Sequence, residues 1–222
     1  MKKLGLSTFD YKLDYTVFDS IDTEEKAYWL GFMYADGWVT SNRPAIGLGL
    51  KEEDSYHLEK FVRFFKLRKI KITHNLVKLN GKSYPQCKWS LQNSYIYNRL
   101  IELGCVPNKS LILKFPDKSI FKEESLVYPF IRGYTDGDGC LWFNKSNKIN
   151  LEIIGTKEFL EGIMIYFPNK FSFGHKDKRH LSSNTYKLIS CGNNAIEVVT
   201  KLYKNSNIHL ERKYLRYKIA VS

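Results

Sequence analysis

The sequence is short of several features that would define a class of protein at once. No apolar run approaches the roughly 20 residues that a membrane-spanning helix requires, and no signal-peptide apolar stretch follows Met1-Lys2-Lys3. The four cysteines form no Cys-x-x-Cys pair, so neither a zinc site nor a disulfide framework is predicted. The histidines also lack metal-ligand spacing. These absences predict an intracellular protein whose thiols are reduced.

Acidic residues are in the minority, with 23 Asp and Glu against 35 Lys and Arg. The resulting net charge of +12 favours a polyanionic partner, and the basic residues are spread along the chain instead of being confined to a tail. Nucleic acid is the first candidate. Hydrophobic residues make up 43% of the chain, which excludes wholesale disorder and supplies a core for one large domain or two small ones.

One kind of segment is present twice. Residues 29–37 and 131–139 are each a mostly apolar helical run that carries small residues four apart and ends in Asp-Gly. The small residues are Gly31, Ala35, Gly133 and Gly137. Glycine is about 1 kcal/mol less favourable than alanine inside a helix, so a face built from it needs a reason. We infer that the two helices pack closely against each other along this face.

The Asp-Gly endings place two carboxylates, Asp36 and Asp138, at the carboxyl ends of the two helices. Each helix is expected to stop at its glycine, Gly37 or Gly139, in the left-handed conformation that often follows a helix end. A carboxylate there opposes the helix dipole, and two close carboxylates repel each other, which a divalent cation would compensate. Either segment alone is better explained as a common Asp-Gly turn, and the repetition is what favours a metal site.

The hydrophobic pattern around the first segment predicts alternating helices and strands. Asp22 with Glu25 has the spacing of a capping box, and Asp54 is expected to cap a second helix. The remaining elements of this half are expected to be strands at 45–51, 69–79 and 84–91, a turn at Asn80-Gly81, and a helix around 96–103 that Gly104 ends.

From about residue 121 the same order returns. The expected elements are a strand at 148–154, a helix capped by Thr156, strands near Phe171 and Tyr186, and a helix near 194–203. We therefore predict an α+β protein formed by tandem, pseudo-twofold duplication of an αββαββα unit. The predicted division is a lead-in at 1–20, a first repeat at 21–116 and a second repeat at 117–222.

The two segments resemble the paired signatures of the LAGLIDADG homing endonucleases, of the single-chain, two-motif type. The first copy matches at Gly31, Ala35, Asp36 and Gly37, while Tyr34 replaces the first aspartate. The second copy matches at Gly133, Asp136, Asp138 and Gly139, while Gly137 replaces the alanine and Arg132 stands at an ordinarily small position. The surrounding residues 25–29 and 210–214 are similar too, so the resemblance covers roughly residues 18–218.

The resemblance implies a pseudo-twofold protein whose two antiparallel sheets form a saddle on duplex DNA. It implies that Asp36 and Asp138 bind divalent metal ions and that Asp136 is structural. The expected cofactor is Mg²⁺, as two or three ions, with Mn²⁺ or Ca²⁺ able to substitute for binding. The implied reaction is metal-dependent phosphodiester hydrolysis that makes a staggered double-strand break with 3′ overhangs at a long target site.

Two lysines, Lys109 and Lys213, stand late in their repeats and resemble the active-site lysines of the family. In that role they would polarise water or steady the phosphate. A solvated lysine, or one that contacts the DNA backbone, is the alternative for each of them.

The outward strand faces are expected to contact DNA. Lysines mostly position the backbone, whereas Arg, Asn and Gln are better base readers. An ordinary solvated strand face is the alternative for any one residue. The candidate DNA-binding residues are Arg43, Lys51, Lys78, Lys82, Lys88, Lys145, Lys148, Lys176, Lys178, Arg179 and Lys187.

The predicted function is that of a monomeric, site-specific homing endonuclease of a mobile element or intron, without an obligate protein partner. It would act at DNA in a bacterial or phage-infected cytoplasm or in an organelle. The alternative is a non-cutting nucleic-acid binder on the same scaffold, either an intron RNA maturase or a transcription regulator. Retention of both Asp36 and Asp138 favours the endonuclease, because pure binding needs no paired carboxylates.

Overall fold

The computed structural model describes residues 13–67, 71–79, 81–176 and 184–222. No helix in these four ranges is long and apolar enough to cross a bilayer. The first half carries α1 (Glu24–Ala35), β1 (Gly37–Thr40), β2 (Ala45–Lys51), α2 (Ser55–Phe64), β3 (Thr73–Leu79), β4 (Lys82–Gln92) and α3 (Ser94–Glu102). The second half carries α4 (Val127–Asp138), β5 (Gly139–Phe143), β6 (Ile149–Gly155), α5 (Lys157–Tyr166), β7 (Ser172–His175), β8 (Tyr186–Cys191) and α6 (Asn193–Tyr203), followed by α7 (Glu211–Val221).

The two halves repeat the same order of elements, and each builds a four-stranded antiparallel sheet. The strand order is β1-β2-β4-β3 in the first sheet and β5-β6-β8-β7 in the second. The registers agree as well, since Gly37 lies opposite Leu48 and Gly139 lies opposite Ile153. The predicted α+β duplication of an αββαββα unit is confirmed. Helix α7 is an addition that follows the second unit.

Helices α1 and α4 pack against each other between the two sheets, with their small residues at the contact. A Cβ atom at Gly31 would lie 1.9 Å from the carbonyl oxygen of Phe130, and one at Gly133 would lie 2.0 Å from that of Tyr28. No side chain fits at such distances, so the two backbones touch directly. The predicted close packing of the two helices is confirmed.

The start of α1 differs from the prediction. Thr23 caps the helix, because its hydroxyl accepts a hydrogen bond from the backbone amide of Lys26. Asp22 lies one residue too early for this role, and its carboxylate pairs with the side chain of Lys26 at 2.8 Å instead. The predicted capping box is therefore wrong, because with Thr23 as the N-cap the third helical residue is Lys26 and not Glu25.

The two glycines that follow the central helices also differ from the prediction. Neither Gly37 nor Gly139 has a positive φ, and Gly139 is extended at φ −94°. The reason is that β1 and β5 begin at these glycines, so the chain passes from helix to strand without a left-handed turn. Glycine is needed there for close approach, since a Cβ atom at Gly37 would lie 2.7 Å from the Cα of Met33.

Local capping side chains start two further helices, whereas the predicted cap of α2 does not form. The side chains of Asn93 and Thr156 cap α3 and α5, and Gly104 follows α3 in the left-handed conformation at φ +91°. Asp54 precedes α2 but makes no capping bond. Its carboxylate accepts instead from the guanidinium of Arg212 in α7, at 3.1 and 3.2 Å. The prediction that Asp54 caps α2 is wrong because a charged partner from the other half takes its oxygens.

The inner face of each sheet is covered by the helices of its own half. Helices α2 and α3 contact the first sheet, and α5 and α6 contact the second. Aromatic side chains fill the space between them, and the largest fully buried one is Trp29 of α1. Within the described ranges, no helix covers the outer face of either sheet. The paired ends of α1 and α4 lead directly into the edge strands β1 and β5.

Candidate active site

The carboxylates of Asp36 and Asp138 lie together at the carboxyl ends of the paired helices. Asp36 is the residue after α1 and Asp138 is the last residue of α4. The final turns approach closely, because a Cβ atom at Gly137 would lie 2.3 Å from the Cβ of Ala35 and 3.3 Å from a carboxylate oxygen of Asp36. Both aspartates are exposed to solvent on one side. The structure therefore brings the two candidate metal ligands to one place.

Both carboxyl groups resist ionisation. Desolvation by the surrounding protein, and the negative charge of Asp138, raise the pKa of Asp36 to about 6. Desolvation also raises the pKa of Asp138, while the positive charges of Lys109 and Lys213 act in the opposite direction. A cation placed beside carboxyl groups whose charged forms are disfavoured by burial would stabilise those charged forms.

Two buried lysines support the carboxylates from quasi-equivalent positions. Lys109 begins a short 3₁₀ turn after α3, and its ammonium donates to the carbonyl oxygen of Gly37. Lys213 lies in the first turn of α7, and its ammonium donates to the carbonyl oxygen of Gly139 at 2.6 Å. Each lysine therefore binds the glycine that follows the aspartate of its own half.

The ammonium of Lys213 has no free hydrogen. Besides Gly139 it donates to the carbonyl oxygens of Thr135 at 2.7 Å and Asp136 at 2.6 Å, which uses all three N–H groups. Desolvation lowers the pKa of Lys213 to about 8. The carbonyls at the negative end of α4 favour its charged form. Lys213 thus places positive charge beside the carboxylates instead of offering them a free donor.

The two carboxylates of Asp36 and Asp138 fit a hard divalent cation whose remaining ligands would be substrate oxygens. Mg²⁺ is usually held by one or two carboxylates together with water and substrate phosphates. Within the described parts of the chain, no group of three or more His, Cys, Asp or Glu side chains is placed to hold a metal ion. Asp36 and Asp138 would therefore hold such an ion together with oxygen atoms of the substrate.

Comparison with known proteins finds similarity in fold and not in sequence. No protein-family model matches the chain, and no curated protein is significantly similar to it. Solved structures match over nearly its whole length. The homing endonuclease I-WcaI, bound to its DNA recognition sequence, has a TM-score of 0.63 at 15% identity, with 95% of both chains covered.

Two further structures agree. The LAGLIDADG homing endonuclease I-LtrWI, bound to target DNA, has a TM-score of 0.56 at 14% identity over 89% of this chain and 90% of that one. Mesophilic variants of the homing endonuclease I-DmoI give 0.55 at 15% identity over 93% and 99%. The chain has the LAGLIDADG homing endonuclease fold. Helices α1 and α4 are its two LAGLIDADG helices.

The outer face of the first sheet in this LAGLIDADG fold carries three of the candidate DNA-binding lysines. By strand alternation these are Lys51, Lys82 and Lys88. Arg43 is exposed in the turn between β1 and β2. Lys78 lies on the opposite face of β3, the face of the buried Cys87, so it does not share the surface of the other three. The expectation that Lys78 belongs to this surface is not met.

The second half carries the other candidates, of which four lie in the part of the chain that the structure describes. Lys145 and Lys148 are exposed in the turn between β5 and β6, and Lys176 is exposed just after β7. Lys187 lies on the outer face of β8, where it pairs with Glu152 of β6 at 3.4 Å. The candidates Lys178 and Arg179 lie outside the described residues.

Sequence reasoning missed two residues on these outer faces. Trp38 lies flat over Gly47, where a Cβ atom would meet its ring at 2.1 Å, and the ammonium of Lys88 is 5.0 Å from the ring centroid. In the first sheet Trp38 of β1 lies opposite Gly47 of β2. The equivalent pair in the second sheet is Cys140 of β5 and Glu152 of β6, so the two halves differ at this position. Strand alternation is the signal that places both residues on the outer faces, where only basic residues had been predicted to contact DNA.

Arg132, at an ordinarily small signature position, is buried, and each of its three guanidinium nitrogens donates a hydrogen bond. Its guanidinium donates to the carbonyl oxygens of Ile208 at 2.9 Å and Leu202 at 2.7 Å, and it pairs with Glu24 at the start of α1. The side chain lies away from the glycine contact and joins the two halves. The close approach of the LAGLIDADG helices is therefore compatible with an arginine at this position.

Proposed function

We propose that the protein is a site-specific DNA endonuclease of the homing type. The observation that carries this proposal is the pair Asp36 and Asp138, which lie side by side at the ends of the LAGLIDADG helices with a buried lysine behind each. A protein that only bound nucleic acid would gain nothing from two adjacent carboxylates with raised pKa values. The net charge of +12 supports a polyanionic substrate.

Duplex DNA is the proposed substrate, lying across the outer faces of the two sheets. The similar structures of I-WcaI and I-LtrWI contain a DNA recognition sequence and a target DNA. In this chain the exposed lysines of both sheets would contact phosphates. Gln86 and Asn75 lie on the same outer face as Lys88 and have the amide groups that read adenine edges.

Mg²⁺ is the proposed cofactor, as two or three ions held by Asp36, Asp138 and phosphate oxygens. When bound, a divalent ion supplies an activated water and neutralises charge on the phosphate. The meganuclease I-SmaMI, with a TM-score of 0.52 at 13% identity, has a structure in the presence of calcium ions. We propose that Ca²⁺ or Mn²⁺ can replace Mg²⁺ for binding here.

The residues of each half would act on one strand. Asp36 and Asp138 would hold the ions, which would offset the repulsion between these carboxylates and the DNA phosphates. Lys109 and Lys213 fix the helix ends and add positive charge where negative charge develops on the phosphate. The proposed product is a double-strand break with 3′ overhangs, made by a monomer acting wherever its target DNA lies in the cell.

Cleavage of a target library tests this proposal. Plasmids that carry randomised or genomic inserts are incubated with the protein and Mg²⁺, and linear products are sequenced at their ends. Asp36→Asn and Asp138→Asn should each abolish cutting while binding of the selected target in Ca²⁺ is retained. Asp19→Asn, which alters an exposed carboxylate before α1, should cut like the wild type. Cutting by both active-site variants would contradict the two-carboxylate mechanism. Binding without cutting by the wild type would favour a maturase or a regulator.

A further inference from the structure

The two lysine-bearing segments are supported by chemically different surroundings. The reciprocal glycine contacts make Tyr28 and Phe130 equivalent, since Gly133 lies on the carbonyl of Tyr28 and Gly31 lies on that of Phe130. The signature alignment likewise makes Asp136 equivalent to Tyr34. Tyr28 and Asp136 therefore form a polar set of positions, and their equivalents Phe130 and Tyr34 form an aromatic set.

The polar set forms a continuous buried network behind the Asp138 site. The carboxylate of Asp136 accepts hydrogen bonds from the hydroxyls of Tyr28 at 2.8 Å and Tyr203 at 2.6 Å, and from the backbone amide of Leu210 at 2.8 Å. The hydroxyl of Tyr28 is also 2.8 Å from Nε2 of His57. Because the single hydroxyl hydrogen of Tyr28 goes to Asp136, His57 is the donor in that contact.

This network holds the start of α7, and with it Lys213. Leu210 is the N-cap residue of α7, so the bond from its amide to Asp136 fixes the position from which the helix begins. Lys213 lies one turn further on, where its ammonium reaches the end of α4. Arg212 beside it pairs with the buried Asp54 of the first half. Side chains of the first half therefore help to place the lysine of the second.

The equivalent support of Lys109 contains no buried charge in the described residues that contact it. Tyr34 packs edge-on against Phe130, with ring centroids 5.0 Å apart, and its hydroxyl donates to the carbonyl of Leu103 after α3. The segment that follows Lys109 is held by neutral bonds, from Thr156 to the carbonyl of Leu113 and from Asn184 to that of Leu111. Loss of a hydroxyl from the polar network would leave this arrangement untouched.

We propose that Tyr28 and Tyr203 are positioning residues for Lys213, acting through Asp136 on the start of α7. Their side chains are fully buried, and their hydroxyls donate to the Asp136 carboxylate. They orient a buried carboxylate that holds the amide of Leu210, which in turn sets where Lys213 lies. The consequence for cleavage rests on the proposed function: weakening this network should slow one strand and leave the other, so that nicked DNA accumulates.

Hydrogen exchange tests the positioning without any cleavage. Tyr203→Phe and Tyr28→Phe remove only hydroxyl groups, and Tyr34→Phe is the matched change in the other half. In the first two variants we expect amide exchange in residues 210–214 to accelerate by about tenfold, because each removes a bond to the carboxylate that holds Leu210. Residues 103–116 should exchange as in the wild type. Unchanged exchange at 210–214 would overturn the proposal. If Tyr203→Phe fails to fold, Tyr28→Phe alone decides, because it removes a bond to the same Asp136 carboxylate.

Strand-resolved cleavage tests the consequence. The two strands of the selected target carry different 5′ labels, and single-turnover rates are measured for each, with Lys213→Met and Lys109→Met identifying the strand that depends on each lysine. Tyr203→Phe should shift the ratio of strand rates at least about fivefold in the direction of Lys213→Met. An unchanged ratio, or a shift in the direction of Lys109→Met, would overturn the strand-specific role. A wild type that cuts no target would refute the proposed function. Hydrogen exchange at residues 210–214 would still decide whether the tyrosines position the start of α7.

Discussion

At the residue scale, Asp36 combines a raised pKa with partial exposure to solvent. Its pKa in the folded protein is about 6 against an ordinary value of 3.8, so the folded state holds this proton more tightly than the unfolded state does. The contribution of this group to stability is therefore complete below about pH 4 and is lost as the pH rises through 6. At neutral pH the metal-free carboxylate destabilises the fold.

Replacement of Asp36 should therefore stabilise the metal-free protein. Asp36→Asn is expected to raise the free energy of unfolding at pH 7.5 by on the order of 1 kcal/mol, a value reduced because solvent screens the exposed side of the group. Urea unfolding with EDTA, at pH 7.5 and pH 4, measures it. The gain should shrink towards zero at pH 4, and a loss of stability at pH 7.5 would contradict the electrostatic account.

Glu152 is an acidic group on a face proposed to meet a polyanion. It pairs with Lys187 at 3.4 Å, so its removal would both relieve repulsion and release a cation. We expect Glu152→Gln to tighten binding of non-specific duplex about two- to fivefold and to steepen its salt dependence. Fluorescence anisotropy across a salt series measures this.

A matched control is available on the outer side of a helix. Glu161→Gln in α5 also releases a lysine, since Glu161 pairs with Lys157 at 3.8 Å, but it lies on an element that covers the inner face of the second sheet. It should leave DNA affinity unchanged. Equal tightening by both variants would mean that only net charge matters and that the outer face does not contact DNA.

At the scale of elements, the contact between α1 and α4 depends on backbone proximity. Gly133 and Gly31 each face a carbonyl oxygen of the other helix, and a carbonyl cannot move away as a flexible side chain can. Separation of the helices would also move Asp36 relative to Asp138. The same contact therefore holds the two halves together and sets the spacing of the candidate site.

A methyl group at this contact should be destabilising. Gly133→Ala is expected to lower the free energy of unfolding by about 2–3 kcal/mol, because the Cβ atom would overlap the carbonyl of Tyr28. Chemical denaturation measures it. Gly174→Ala in β7 is the control, since a Cβ atom there meets nothing within 4 Å, and it should change stability by less than about 0.5 kcal/mol. Similar stability of the two variants would contradict direct backbone contact.

At the scale of the whole molecule, polar bonds join the halves at several points besides the helix contact. Glu24 of α1 accepts from the amide and the side chain of Asn207, at 2.9 and 2.7 Å, and also pairs with Arg132. Asp54 and Arg212 form a second cross-half pair. In both cases a carboxylate of the first half binds the second half, at the segment between α6 and α7 or at the first turn of α7, so these bonds couple the second site to the first half.

Arg132→Leu tests this coupling, since Leu30 occupies the equivalent position in α1. The change leaves the carbonyls of Leu202 and Ile208 without their buried donor and removes the charge partner of Glu24. We expect a loss of about 3 kcal/mol in the free energy of unfolding. Glu24→Gln, which keeps hydrogen-bonding atoms, should cost less. A leucine variant as stable as the wild type would show that the arginine contributes nothing to holding the halves together.

Sequence reasoning found most of the elements but not their partners. Most helices and strands, and the cap at Thr156, follow from periodicity and local spacing, whereas β1, β5 and α7 were not predicted. Asp54 had the local features of a cap, yet Arg212, far along the chain, takes its oxygens. Lys78 is a basic residue in a predicted strand and was therefore expected to face DNA. The register of the β3–β4 hairpin places it on the opposite face of the sheet. Both outcomes depend on contacts that no short window of sequence contains.

The sequence by itself determined the duplication, the pairing of glycine-rich helices and the two terminal aspartates, because each is a local pattern that occurs twice. Tertiary structure alone decided how Asp36 and Asp138 share one place, how Lys213 uses all its donors, and why Asp136 is surrounded by hydroxyls where Tyr34 has aromatic rings. The physical reason is that desolvation and hydrogen-bond satisfaction depend on distance in space, and residues from both halves meet only in the folded chain.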